Sequence, residues 1–202
     1  MIDLVINDQN DQEVEKSFDR IAKDLFNNYL LNIQGNRYRL TEIEFYYKSD
    51  NHKDSYTHEN ERQLTKDNWY FHRFKNPEKY KKVPVKGLDL TIGNKNKNIY
   101  GGILIRGIKD IKNNDIIDGP GKIVNKIIDI LGTDKIDKIV KTNVYNVFEK
   151  NKSGIYLEKN KNPKFEVYKC KRKLPKPNSK EKEKFVDRFY KYFIYTEIKK
   201  VL

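Results

Sequence analysis

Sulfur is nearly missing from this sequence, which has one cysteine and one methionine in 202 residues. With Cys170 alone, no disulfide can close within the chain and a cysteine cage for zinc is excluded. Long apolar runs are missing too. No stretch approaches the roughly 20 apolar residues that a bilayer-spanning helix needs. The opening MIDLVINDQNDQEVEK is acidic and has no apolar run of the kind that marks a signal peptide. These absences lead us to expect a cytoplasmic protein with no membrane partner. Metal chemistry is also poorly provided for. His52 and His58 stand six apart in a polar stretch with Asp54 between them, and no helix fixes their geometry, so no metal site is expected. GPGK (119–122) lacks the spacing of a nucleotide-binding phosphate loop.

What is present is aromatic and basic. Fourteen tyrosines and ten phenylalanines argue for a folded core, although 35% of the residues are charged. The length suits one domain, residues 1–202. A formal charge of +13 suits a polyanionic partner. It also fits a general bias toward lysine, because only eight of the 42 basic residues are arginine. The sequence leaves both readings open.

Apolar spacing predicts an amphipathic helix over 11–31, with Val14, Phe18, Ile21, Ala22, Leu25, Phe26 and Tyr29 on one face. Gly35 and Asn36 then mark a turn into RYRLTEIEFYY. Alternation puts Thr41, Ile43, Phe45 and Tyr47 on the core face and Glu42, Glu44 and Tyr46 on the other. That second face is either a solvated sheet surface or the wall of a cleft. Residues 48–68 read as a long loop, and WYFHRF (69–74), GLDLTIG (87–93) and YGGILIRGI (100–108) as strands. A Gly-Pro turn feeds a helix over 118–132 whose first turn could hold an anion. Further strands are expected at 143–148, 154–157 and 165–170, and KRKLPKPNSKEKEK (171–184) reads as a basic flexible loop or linker. This order predicts a single α+β domain with a largely antiparallel, curved β-sheet and flanking helices.

Several fragments, taken in order, resemble the alkyladenine (3-methyladenine) DNA glycosylase family. EIEFY (Glu42–Tyr46) resembles the family's ETEAY, and DSYTH (Asp54–His58) its segment ending in a base-stacking histidine. GGILIRGI (101–108) resembles the strand with its active-site arginine, and DGPGK (118–122) its SGPGK turn. The matches fall within residues 18–130. The sequence departs from the family where KKVPVKGLDLTIG places Val83 and Lys86 at two tyrosine positions, one of them the duplex wedge, and Gly93 at an asparagine.

The resemblance implies a metal-free, cofactor-free hydrolase that cleaves the N-glycosidic bond of a flipped base in DNA. Glu44 would activate water, and Arg106 would hold that water and keep Glu44 ionised. Tyr46 and His58 would grip the base. Trp69 and His72 could replace the missing tyrosines, and Asp89 could read the base edge. Lys82, Lys86 and Lys122 are candidate phosphate contacts. Two alternatives stay open: a non-catalytic DNA- or RNA-binding module on such a scaffold, and an N-glycoside hydrolase of single strands or free nucleosides. A monomer is expected.

Overall fold

The computed structural model describes residues 2–142, 146–160 and 164–195. Helix α1 (Asp11–Asn28) starts where the Asn10 side chain accepts a hydrogen bond from the Glu13 amide. Its buried stripe runs through Val14, Phe18, Ile21, Ala22, Leu25 and Phe26. The helix stops three residues before the expected 31. Tyr29 turns extended and leads directly into β1 (Tyr29–Ile33), which pairs with neighbours on both sides. Those ladder bonds replace what another helical turn would supply. Gln34 and Gly35, with φ of 48° and 88°, then make a left-handed two-residue turn into β2 (Asn36–Lys48).

Among the described residues, nine strands form one curled, antiparallel sheet. The remaining strands are β3 (Lys66–Phe71), β4 (Leu88–Ile92), β5 (Tyr100–Asp110), β6 (Ile116–Asp118), β7 (Ile155–Lys159), β8 (Tyr168–Cys170) and β9 (Lys191–Phe193). The order is β3-β4-β5-β2-β1-β7, with β6 on β5 and β9 joining β8 to β2. Strand β2 is the spine. It pairs with β5 along its length, with β1 through its first residues and with β9 over Glu42–Glu44.

The alternation predicted for β2 holds from Ile43 onward, with Ile43, Phe45 and Tyr47 in the core. Thr41 does not join them. The pairing with β5 slips around Leu40 and Glu42, and this bulge shifts the phase so that Tyr38 and Leu40 also face the core.

Helix α2 (Pro77–Tyr80) is a single turn, and α3 (Pro120–Leu131) buries Ile123, Val124, Ile127, Ile128 and Leu131 before Gly132 ends it. Helix α4 (Thr133–Thr142) follows directly, burying Ile136 and Ile139. The strand expected over 143–148 begins on residues outside the described set, and 146–148 turn rather than extend. The polar loop after β2 contains a 3₁₀ turn at Glu61–Leu64. Residues 171–184 include buried Arg172 and the start of helix α5 (Lys180–Val186), which a polar composition hides. No described helix is long and apolar enough to cross a membrane.

Candidate active site

The register carries one line of residues across five strands. Tyr70 on β3 lies opposite Asp89 on β4, Asp89 opposite Leu104 on β5, Leu104 opposite Glu44 on β2, and Glu44 opposite Lys191 on β9. Residues paired this way point to the same side of a sheet. Glu44 and Asp89 therefore share a face two strands apart, on the order of 10 Å between their Cα atoms, with Leu104 between them. Alternation adds Tyr46 beside Glu44 and Arg106 beside Leu104.

Glu44 is fully buried. Its Oε2 accepts a hydrogen bond from the Tyr46 hydroxyl at 2.8 Å and another from Arg106 Nη1 at 3.1 Å. Its Oε1 is equally buried and has no protein hydrogen-bond partner. Arg106 Nε donates to Glu42 Oε1 at 3.1 Å, and Lys191 Nζ lies 3.4 Å from the same oxygen. Burial alone would lower the Arg106 pKa, but Glu44 and Glu42 outweigh it and the pKa rises. Burial, and then the Glu44 charge, push Tyr46 well above the ordinary phenol range, so Tyr46 stays a proton-bearing donor.

Behind Tyr46 stands Arg172, which the sequence reading missed. Its guanidinium lies 4.6 Å from the Tyr46 ring centroid. Its Nη1 donates to Phe45 O at 2.8 Å and to Asp54 Oδ2 at 2.7 Å. One face of the Tyr46 ring is thereby covered. The same arginine anchors the Asp54–His58 segment, because Asp54 is buried against it. The signal in the sequence was rarity, an arginine in a chain of lysines.

A cleft of about 290 Å³ opens over this arrangement. Tyr46, Leu104 and Arg106 line one part of it, and His58, Gln63, His72 and Asp89 another. Lys173, Leu174 and Pro175 close it from the C-terminal side, where the Tyr56 hydroxyl donates to Pro175 O at 3.2 Å. His72 Nε2 lies 2.7 Å from Asp89 Oδ1, and Gln63 Nε2 donates to Asp89 Oδ2 at 3.3 Å. His58 is exposed, with its ring 4.5 Å from that of His72. Partial desolvation, followed by the His72 charge, lowers the His58 pKa. Gly102 leaves the room Asp89 needs, since a Cβ there would run into Asp89 Oδ2. Larger depressions of about 320 Å³ beside Lys48 and 460 Å³ beside Phe165 hold no histidine.

The structure thus gathers Glu44, Arg106, Tyr46, His58, His72 and Asp89. Trp69 is elsewhere, buried in the core with Nε1 donating to Ile155 O at 3.0 Å, because it alternates away from Tyr70. Lys86 borders the cleft, but its ammonium is not presented to it. The side chain is buried and Nζ donates to the Lys81 and Val83 carbonyls at 2.7 and 2.8 Å, so it serves the backbone rather than a phosphate. Burial lowers its pKa. Lys82 and Lys122 are exposed, and Lys122 lies in the first turn of α3, whose Pro120 lines the cleft. Among the described residues, no three His, Cys, Asp or Glu side chains cluster as a metal site.

No protein-family model matches the chain. Among curated proteins it is similar to "Uncharacterized protein L759" of Acanthamoeba polyphaga mimivirus, with 38% identity over 163 residues, covering 75% of this chain and 74% of that protein.

Proposed function

The chain belongs to the family of that mimivirus protein, and we propose that it hydrolyses the N-glycosidic bond of a nucleotide base held outside the stack. Its substrate in this reading is DNA, with an unpaired or single-stranded base favoured. The curled antiparallel sheet, with an acid on the spine strand and an arginine on the next, supports an alkyladenine-glycosylase-like scaffold.

The observation that carries the reading is the asymmetry of Glu44. Arg106 and Tyr46 occupy Oε2, while Oε1 is buried and unpartnered. A buried carboxylate oxygen without a partner calls for a water molecule, and a carboxylate that holds one water can take its proton. The water oxygen bonds to C1′ as the C1′–N bond breaks, with its electron pair leaving on the base. Arg106 donates to Oε2 and so leaves Oε1 as the oxygen that accepts the proton.

The cleft volume of about 290 Å³ is at the small end of ligand cavities, which suits one heterocycle and not a longer segment. The Tyr46 face not covered by Arg172 can stack on it. Exposed Lys173, which lines the cleft, and exposed Lys122, two residues beyond the lining Pro120, suit flanking phosphates. No aromatic stands at Val83 or Lys86 to wedge a duplex open, which favours a base already unstacked.

One observation favours the binding-module reading. Glu44 is fully buried, and the side chains on its Oε2 are those that line the cleft. Water and sugar therefore reach Oε1 only when Tyr46 or Arg106 moves aside. Incubation with single-stranded DNA carrying single damaged or deaminated bases, followed by detection of abasic sites, separates the two. Abasic product supports hydrolysis. Salt-sensitive binding without product from any substrate supports the module.

A further inference from the structure

We propose that the exposed aromatic patch of Tyr168, Phe193 and Tyr195 stacks the bases of a single nucleic-acid strand beside the nucleotide held in the cleft. The inference rests on the reading that the cleft takes a base from a single strand, and not on hydrolysis.

The register places the patch. Tyr168 on β8 lies opposite Phe193 on β9, and Phe193 opposite Glu42 on β2. Paired residues share a side of the sheet, so both rings stand on the face that carries Glu42 and Glu44. Glu44 pairs with Lys191, which makes Phe193 its diagonal neighbour, about 7–8 Å away. Ile194 is buried in the core, and alternation returns Tyr195 to the Phe193 side. The three rings touch. Centroids lie 5.7 Å apart for Tyr168 and Phe193, 5.1 Å for Tyr168 and Tyr195, and 5.5 Å for Phe193 and Tyr195. The Tyr168 hydroxyl donates to Glu166 Oε2 at 2.6 Å, which steadies its ring.

Two observations say what covers the patch. The first is its size. Tyr168 is 36% and Tyr195 64% exposed, whereas the other described aromatics, Phe189 apart, are buried or half-buried. A whole aromatic side chain offers about 150–250 Å², so the open area is on the order of 300 Å². A stable protein interface takes about 800 Å² from each partner, well beyond this patch. Bases taken one or two at a time do fit, and their faces stack on aromatic rings whatever their identity.

The second is continuity with the cleft. The chain of β8 runs from Tyr168 through Arg172 to Lys173, which lines the cleft. Positive charge follows the same face, with Lys191 opposite Glu44 and, beyond the bulge, Arg39 opposite Lys109. A strand whose base enters the cleft therefore meets rings for its next base and cations for its phosphates.

The test is fluorescence-anisotropy binding of an undamaged oligothymidine of about ten nucleotides, within the site size of single-strand binders. A matched oligomer whose sugars carry no bases is run beside it. Tyr195→Ala should weaken oligothymidine binding about 5–150-fold, the fold-change of one lost base–ring stack. Tyr195→Leu, which keeps apolar bulk without a ring, should behave as alanine does, and Tyr195→Phe as the parental protein. The base-free oligomer should bind all four proteins alike, and the salt slope should not change, since no phosphate contact is lost. An unchanged thermal midpoint certifies the fold of each variant. No loss on oligothymidine, or an equal loss on the base-free oligomer, overturns the proposal. So does a Tyr168→Ala, Tyr195→Ala variant that sediments at half the parental mass with its affinity intact, since the patch then joins copies of the chain. If Tyr195→Ala weakens binding while the parental protein releases no base from any substrate, the proposal stands and hydrolysis falls. A parental protein that binds no single strand overturns both.

Discussion

Arg172 Nη1 lies 2.7 Å from Asp54 Oδ2, with both side chains fully buried. This ion pair ties the segment after β8 to the loop after β2, and the same guanidinium backs the Tyr46 ring. The cleft wall is therefore assembled from two stretches 118 residues apart in sequence.

Removing one partner should be costly. Arg172→Met leaves Asp54 buried without its counter-charge, and the expected loss is about 3–5 kcal/mol of unfolding free energy. Adding Asp54→Asn should recover part of it, since an amide is cheaper to bury than a charge. Urea unfolding of the single and double variants measures both. A loss below about 1 kcal/mol, the range of surface pairs, would deny the pair its structural role.

Trp69 provides a control on the cleft. Trp69→Phe removes the hydrogen bond to Ile155 O, which keeps the one from Ser153 Oγ, and a loss of about 0.5–1.5 kcal/mol is expected for the lost bond. Ligand affinity per folded molecule should be unchanged. Since Trp69 is the only tryptophan, native emission should be blue-shifted and indifferent to nucleic acid. Quenching on binding would return Trp69 to the site.

Acid should weaken the fold early. Burial lowers the His52 pKa below the ordinary 6.5, although Asp11 opposes the shift. Below about pH 6.5 the unfolded chain then binds more protons than the native one, so stability is full above that value and falls as pH drops. His58 is shifted the same way and adds to the slope. Denaturation midpoints between about pH 7 and 5 should decline, and His52→Gln should shrink the decline. A midpoint that rises on acidification contradicts this.

Lysines in and beside the cleft should be visible in salt dependence. Each phosphate left without its lysine on a single strand reduces the slope of log K against log salt by about 0.7. Lys122→Glu with Lys173→Glu should flatten it by about twice that. Lys86→Met should leave the slope alone, because its ammonium already serves two carbonyls. An equal effect from Lys86 would place it back among the residues that meet phosphate.

Much of this was legible where periodicity and chemistry coincide. Alternation in EIEFYY put Glu44 and Tyr46 on one face, and the strand holding Arg106 pairs directly with it. The end of α1 was not legible, because Tyr29, Leu30 and Leu31 continue a helical apolar stripe and only the partner strands decide against it. Thr41 was misplaced because a bulge leaves no mark in composition. Trp69 and Lys86 failed for a related reason. An aromatic beside a candidate pocket and a lysine in a basic run look alike whether they face in or out, and only the fold assigns the side. Arg172 sat within a run of lysines and prolines that resembles solvent-exposed chain.

The most direct measurement compares Glu44→Gln with the parental protein on single-stranded DNA carrying a releasable base, following affinity and base release together. Glutamine keeps the shape and the hydrogen bond from Tyr46 but cannot take a proton from water. Release should fall by at least about 10²–10⁴-fold while affinity stays within a small factor. Release at the parental rate would remove Glu44 from the chemistry and leave the cleft as a binding site only.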